Sequence, residues 1–153
     1  GIIYPIVMGW QWGGGWLAAA GFSDFAGSTL VHSTGGAAAL AGALLLGPRL
    51  GRFTKSGAPA PMKPFAASSI PLITVGIFIL WLGWFGFNGG SQLAMGTADD
   101  AIAVSTIFMN TFLAGAGGVM AAATVTRLAF GKTDVIQMLN GCIGGLVAIT
   151  AEP

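Results

Sequence analysis

Long apolar stretches alternate with short polar connections along this chain. A helix needs about 20 mostly apolar residues to cross the hydrocarbon core of a membrane. Four stretches reach or approach that length: 25–46, 70–88, 101–126 and 135–150. Residues 1–20 are also apolar and are predicted to be the end of a preceding helix, broken at Gly13-Gly14-Gly15. The pattern predicts an all-α fold, a polytopic bundle of membrane helices.

The charged residues lie almost entirely in the connections. All six Lys and Arg residues fall in two loops, 49–63 and 127–132, whereas Asp24 and the acidic pair in segment 91–100 lie at the alternate ends of the spans. Cytoplasmic loops of membrane proteins are enriched in Lys and Arg. We therefore predict a multi-pass protein of the cell membrane with both basic loops in the cytoplasm and the acidic segments outside.

Composition agrees with a membrane location and narrows the classes of function. Hydrophobic residues make up 54% of the chain and charged residues 7%, against about 25% charged in soluble domains. The sequence has no basic face, so nucleic acid is not an expected partner. The single cysteine, Cys142, excludes an internal disulfide and a cysteine-cluster metal site. No phosphate-binding loop, nucleophile motif or pair of intramembrane carboxylates occurs, so we predict neither an enzyme nor a bound cofactor or metal.

The segment DFAGSTLVHSTGG, residues 24–36, combines an acid with the only histidine. On a helix that starts near Phe25, His32 would lie roughly 10 Å into the span. An ionisable group there is costly and usually faces the bundle interior, where it marks a function. A neutral imidazole offers one donor and one acceptor, so it could guide a small polar molecule, pass a proton, or simply bond a neighbouring helix. Asp24 is suited to cap the helix, and its charge would also attract a cation to the outer mouth.

The densest aromatic cluster is WLGWFGFNGGS, residues 81–91. An aromatic belt at the membrane interface explains some of these rings. Phe87 and Ser91 are four residues apart and share a face if the helix continues through Gly89-Gly90, so a ring beside a hydroxyl could form a gate and a cation seat. Trp12, on the same outer side, could serve as a belt residue or add a cation–π surface.

Five segments together resemble the signature segments of the ammonium transporter family (Amt/Mep/Rh), of the Amt type: WQWGGGWL, DFAGSTLVHSTGG, LWLGWFGFNGGS, NTFLAGAGG and NGCIGGLVAIT. They occur in the family's order and cover nearly the whole chain. The resemblance implies an eleven-helix fold with two inverted halves, assembled as a homotrimer with one pore in each subunit. Residues 1–153 would then be a single membrane-domain fragment, from the end of the fourth helix through most of the eighth.

The resemblance also implies the residue roles at the outer mouth and at the gate. Trp12 and Ser91 match the outer ammonium-recruitment site, and Asp24 matches an aspartate near that mouth. Phe87 matches one of two stacked gate rings, whose partner lies outside this chain. Ammonium would be recruited by these groups and would pass the gate.

The resemblance also implies two residues that line the pore. His32 matches the first of the family's twin pore histidines, and Trp84 matches a tryptophan that lines the pore; the second histidine lies outside this chain. The implied mechanism deprotonates ammonium and conducts ammonia through a hydrophobic pore beside His32. Methylammonium would act as an analogue of the substrate.

Partners and alternatives follow from the same resemblance. It implies contact with membrane lipid and a possible regulator of the PII type at the cytoplasmic face. Ammonium sensors (transceptors) and Rh-like gas channels share the fold, and Trp12 favours the Amt type over the Rh type. From the residues alone, an anchor subunit of a membrane enzyme complex is a further alternative.

Overall fold

The computed structural model describes residues 1–49 and 67–153. Arg52, Lys55 and Lys63 of the predicted cytoplasmic loop lie outside the described residues. The described part is helical apart from short loops, which confirms the predicted all-α class. Its helices are α1 (Ile3–Gln11), α2 (Trp16–Ala19), a π-helix (Ser28–Ser33) that continues into α3 (Thr34–Leu46), α4 (Ile70–Gly90), α5 (Ala98–Phe130) and α6 (Val135–Ile149).

Three helical segments of the described residues are long and apolar enough to cross a membrane: Ser28–Leu46, Ile70–Gly90 and Ala98–Phe130. The 33-residue α5 is about 50 Å long, so it exceeds the roughly 30 Å hydrocarbon thickness. Helix α6 is apolar but shorter, with 15 residues. The first of these segments begins at Ser28 rather than near Phe25, because residues 24–27 form a loop whose shape the Asp24 side chain dictates.

Side-chain caps fix where the later helices begin. The hydroxyl of Ser69 accepts from the backbone N–H of Leu72 at the start of α4. At the start of α5, Thr97 and Asp100 form a capping box in which each side chain accepts from the other's backbone N–H. Asp134 accepts from two backbone N–H groups of the first turn of α6. Such caps satisfy donors that have no partner within the helix.

Helices α4, α5 and α6 form the packed part of the described chain, and α5 and α6 make the most extensive contact. Glycines allow their backbones to touch: a Cβ atom at Gly118 would collide with the carbonyl oxygen of Gly141, and one at Gly145 with that of Ala114. Small residues at helix interfaces permit such close approach in lipid. A small core of Trp84, Cys142 and Leu146 forms where α4 meets this pair.

The N-terminal part is packed more sparsely. Helix α1 contacts α2, the π-helix and α3, whereas α3 has contacts only with α1 and the π-helix among the described elements. The π-helix in turn meets the end of α6. Two backbone hydrogen bonds make that junction: the N–H of Phe25 donates to the carbonyl of Ala151 at 2.8 Å, and that of Ala26 to the carbonyl of Thr150 at 3.0 Å.

Candidate functional site

Asp24 organises the loop that leads into the π-helix. Its side chain is 1% exposed, and its two carboxylate oxygens accept four hydrogen bonds of 2.8–3.0 Å from consecutive backbone N–H groups, those of Gly27, Ser28, Thr29 and Leu30. These bonds replace water around the charge and satisfy the first donors of the helix. The capping interpretation of Asp24 is thus confirmed, and its part in ammonium recruitment stays a prediction.

A π-helix carries His32. Gly27, just before it, adopts a left-handed conformation with φ 109°, where a side chain would be strained. A Cβ at this position would also collide with the Val31 side chain. Single π-turns are rare and occur frequently at functional sites, and nothing in the sequence STLVHS distinguishes one from an ordinary helical turn.

The imidazole of His32 lies against two aromatic rings of α4. Its ring centroid is 5.1 Å from that of Trp84, with the planes 22° apart, and 5.6 Å from that of Phe87. The Trp84 and Phe87 rings are 5.5 Å apart, so the three rings form one cluster. The Nε2 atom of His32 is buried and has no hydrogen-bond partner within 1–49 and 67–153. The cluster therefore contains a buried imidazole nitrogen that no described group satisfies.

A chain of buried polar groups supports this cluster from behind. The indole N–H of Trp84 donates to the hydroxyl of Thr150 at 2.9 Å. That hydroxyl lies 3.2 Å from the Oδ1 atom of Asn88, whose amide donates to the hydroxyl of Thr111 at 3.0 Å. Asn88, Thr111 and Thr150 are each 0% exposed, so these bonds link α4, α5 and the end of α6 away from solvent.

Sequence reasoning missed these three residues. Polar side chains inside apolar spans were the available signal, since Ser, Thr and Asn commonly form hydrogen bonds between membrane helices. The partners of Thr150, however, are 62 and 66 positions away in the sequence, and no local pattern specifies such a pairing.

Trp12 and Ser91 each directly follow a helix, α1 and α4 respectively. The indole N–H of Trp12 donates to the backbone carbonyl of Asp24 at 2.8 Å, and the ring is 40% exposed. Ser91 directly follows α4, and its hydroxyl donates to the backbone carbonyl of Phe87 at 2.7 Å. Among the described elements, α1 and α4 do not contact each other. The structure therefore joins Trp12 to Asp24 and Ser91 to Phe87 by hydrogen bonds.

These features define a protein of membrane-spanning helices with a buried cluster of one histidine and two aromatic rings. A family model described as the Ammonium Transporter Family matches residues 1–152. The chain belongs to the ammonium transporter family.

Individual relatives agree with the family match. The chain is 45% identical over 160 residues to ammonium transporter Amt2 of Archaeoglobus fulgidus, with 98% of this chain and 33% of the relative covered. It is 38% identical over 170 residues to ammonium transporter 1 member 2 of Arabidopsis thaliana, with 99% and 34% covered. A solved structure titled Sensor Amt Protein has a TM-score of 0.85 and 38% identity, with 98% of this chain and 37% of that chain covered. The chain thus spans about a third of the length of these relatives.

Proposed function

We propose that this chain forms the central part of an ammonium transporter and carries one wall of its conduction pathway. The observation that carries the proposal is the cluster of His32, Trp84 and Phe87, with a buried Nε2 atom that has no hydrogen-bond partner among the described residues. In the family fold the chain would run from the end of the fourth helix through most of the eighth.

Recruitment would occur at the outer end, where Trp12 and Ser91 lie. The exposed face of the Trp12 indole can attract a cation through its quadrupole. The Ser91 hydroxyl donates its hydrogen to the helix, so its oxygen remains free to accept from ammonium. Asp24 would act without contacting the ion: its buried charge contributes to the field, and its backbone carbonyl orients the Trp12 ring.

Conduction would follow past the ring of Phe87 into the cluster. Ammonium carries a full charge that an apolar passage disfavours, so it would lose a proton and cross as ammonia. The neutral imidazole of His32 offers a hydrogen bond to ammonia without trapping a charge. The proton would travel separately along His32 and a second histidine of the complete pore.

The assembly and orientation follow from family membership as further parts of the proposal. The complete subunit would form a homotrimer with a pore in each subunit, surrounded by membrane lipid. Its basic segments 49–63 and 127–132, the second of which includes the end of α5, would face the cytoplasm, where a PII-type regulator could dock. Asp24 and segment 91–100 would face outside.

The test is ammonium-evoked current in proteoliposomes that hold the full-length protein, with wild type measured beside His32→Ala. We expect a wild-type current that is selective for ammonium over potassium and that the substitution reduces or makes less selective. Equal currents and equal selectivity in both proteins would remove His32 from the pathway. If neither protein gives a current, a pH-jump assay of ammonia flux in the same vesicles separates electroneutral conduction from absence of transport.

A sensor is the second candidate, because the structural relative with a TM-score of 0.85 is titled Sensor Amt Protein. A sensor would bind ammonium at the same outer residues and would report binding to another domain. Ammonium binding without either current or ammonia flux would favour this function over transport.

A further inference from the structure

Thr150 bonds two parts of the proposed pathway: its hydroxyl bonds the side chain of Trp84, and its backbone carbonyl bonds the loop that follows Asp24. We propose that Thr150 is a positioning residue, which holds the Trp84 ring against His32 and fixes both relative to the Asp24 loop. The inference rests on the proposed function for its consequence in transport, whereas the positioning itself can be tested without transport.

The first link runs through the side chain. The Thr150 hydroxyl accepts the indole N–H of Trp84 at 2.9 Å. Its single hydrogen can go to the carbonyl of Leu146 at 2.7 Å or to the amide oxygen of Asn88 at 3.2 Å. Thr150 is 0% exposed and Trp84 7%. Without the hydroxyl, the indole N–H would be left buried and unpaired, which is costly in an apolar surrounding. The ring would therefore turn to find another acceptor.

The second link runs through the backbone. The carbonyl of Thr150 accepts the N–H of Ala26, and the next carbonyl, of Ala151, accepts the N–H of Phe25. These residues belong to the loop in which Asp24 holds the first N–H groups of the π-helix. The helix that carries His32 is thus attached to the residue that also orients Trp84.

Together the two links set the relation between the imidazole and the indole. The rings belong to segments far apart in sequence, and their centroids are 5.1 Å apart. Thr150 bonds the side chain of Trp84 and also the backbone of the loop that precedes His32. The stack in turn fixes the direction in which the buried Nε2 edge of His32 faces. Loosening the Trp84 side of this arrangement should alter the path of a molecule that bonds the imidazole.

The substitution Thr150→Val removes the hydroxyl and keeps the branched shape, and Thr150→Ser keeps the hydroxyl. Thr126→Val is the matched control, because Thr126 is also buried and its hydroxyl bonds only carbonyls of its own helix. Trp84→Phe removes the indole N–H, which is the donor of the hydrogen bond to Thr150. All variants are made in the full-length protein and compared at equal reconstituted amounts.

The first readout is tryptophan emission, because the intensity and wavelength of indole emission depend on the hydrogen bond of its N–H and on the groups around the ring. The spectrum of wild type minus that of Trp84→Phe isolates the Trp84 contribution, and Thr150→Val minus Thr150→Val/Trp84→Phe isolates it in the variant. We expect Trp84 emission to rise and shift in Thr150→Val and to stay at the wild-type position in Thr150→Ser and Thr126→Val. An unchanged Trp84 spectrum in Thr150→Val overturns the positioning role, whether or not the protein transports.

The second readout is ammonium current and its ratio to potassium current. We expect Thr150→Val to lower the ammonium current and to change this ratio, because the Trp84 ring would no longer be held against His32, and we expect Thr150→Ser and Thr126→Val to keep the wild-type values. In the Trp84→Phe background the same Thr150→Val change should have little further effect. Additive losses in the double variant would overturn action through the Trp84 bond. Absence of both current and ammonia flux in wild type would instead refute the transport proposal, and the emission spectrum would still decide the positioning role.

Discussion

The pair of helices α5 and α6 and the N-terminal segment 24–46 are held in place by different physical means. In the pair, glycines bring two backbones into contact along an extended interface. The N-terminal segment has few packed neighbours, and its helix α3 has no buried residue. Four hydrogen bonds to Asp24 fix the shape of the segment's own first turn, and two backbone hydrogen bonds attach that turn to the residues that follow α6.

This difference places the candidate site on the polar anchor and not on the packed pair. His32 lies within the first eight residues after Asp24, so its position depends on hydrogen-bond geometry, which is directional. Glycine packing is non-directional along a smooth surface and fixes distance more than rotation. An imidazole that must present one nitrogen to a passing molecule needs its rotation fixed, which the Asp24 loop can provide.

The largest expected effect is at the polar anchor. Asp24→Ala would leave four backbone N–H groups without their acceptors, and we expect a loss of stability on the order of 4 kcal/mol together with loss of transport. Asp24→Asn keeps one acceptor oxygen and should lose less of both. Thermal unfolding in detergent and flux per reconstituted protein measure the two effects. An alanine variant with wild-type unfolding temperature and flux would show that the anchor is dispensable.

Glycine packing should give the next largest effect, and neighbouring glycines provide the comparison. Gly118→Ala places a methyl group against the backbone of Gly141, whereas Gly117→Ala meets no atom within 4 Å. We expect Gly118→Ala to lose about 2 kcal/mol through overpacking and Gly117→Ala to lose nothing, since alanine favours a helix over glycine.

Expression level and unfolding temperature of the two variants decide this prediction. If both lower the unfolding temperature equally, backbone contact between α5 and α6 is not what stabilises the pair. If Gly118→Ala lowers the unfolding temperature while Asp24→Asn keeps it but loses part of its transport, the glycine contact supports the fold and the Asp24 loop supports the site.

The membrane helices and the capping role of Asp24 could be predicted from the sequence, for identifiable physical reasons. Apolar length and the absence of charge predict membrane helices, because the hydrocarbon core imposes both. An aspartate at the start of an apolar span predicts a cap, and the Asp24 carboxylate has that role, although it lies three residues before the N-cap residue Gly27. The π-helix could not be foreseen, since nothing in its sequence indicates that four consecutive N–H groups donate to Asp24. The partners of Thr150 could not be foreseen either, because they belong to segments distant in the sequence.

The smallest expected effect on stability is at Phe87, which belongs to neither anchor. Its ring is 39% exposed and contacts His32 and Trp84 at the edge of the cluster. We expect Phe87→Ala to lose about 1 kcal/mol and yet to change ammonium flux and its selectivity over potassium, because the ring would act as the gate. Phe85→Ala is the matched control on the same helix, since its ring packs edge-on against Phe108 and lies away from the imidazole. Flux and selectivity are measured in the same vesicles as unfolding temperature. Wild-type flux and selectivity in Phe87→Ala would contradict the gate role, and an equal change in both variants would assign the effect to general packing of α4.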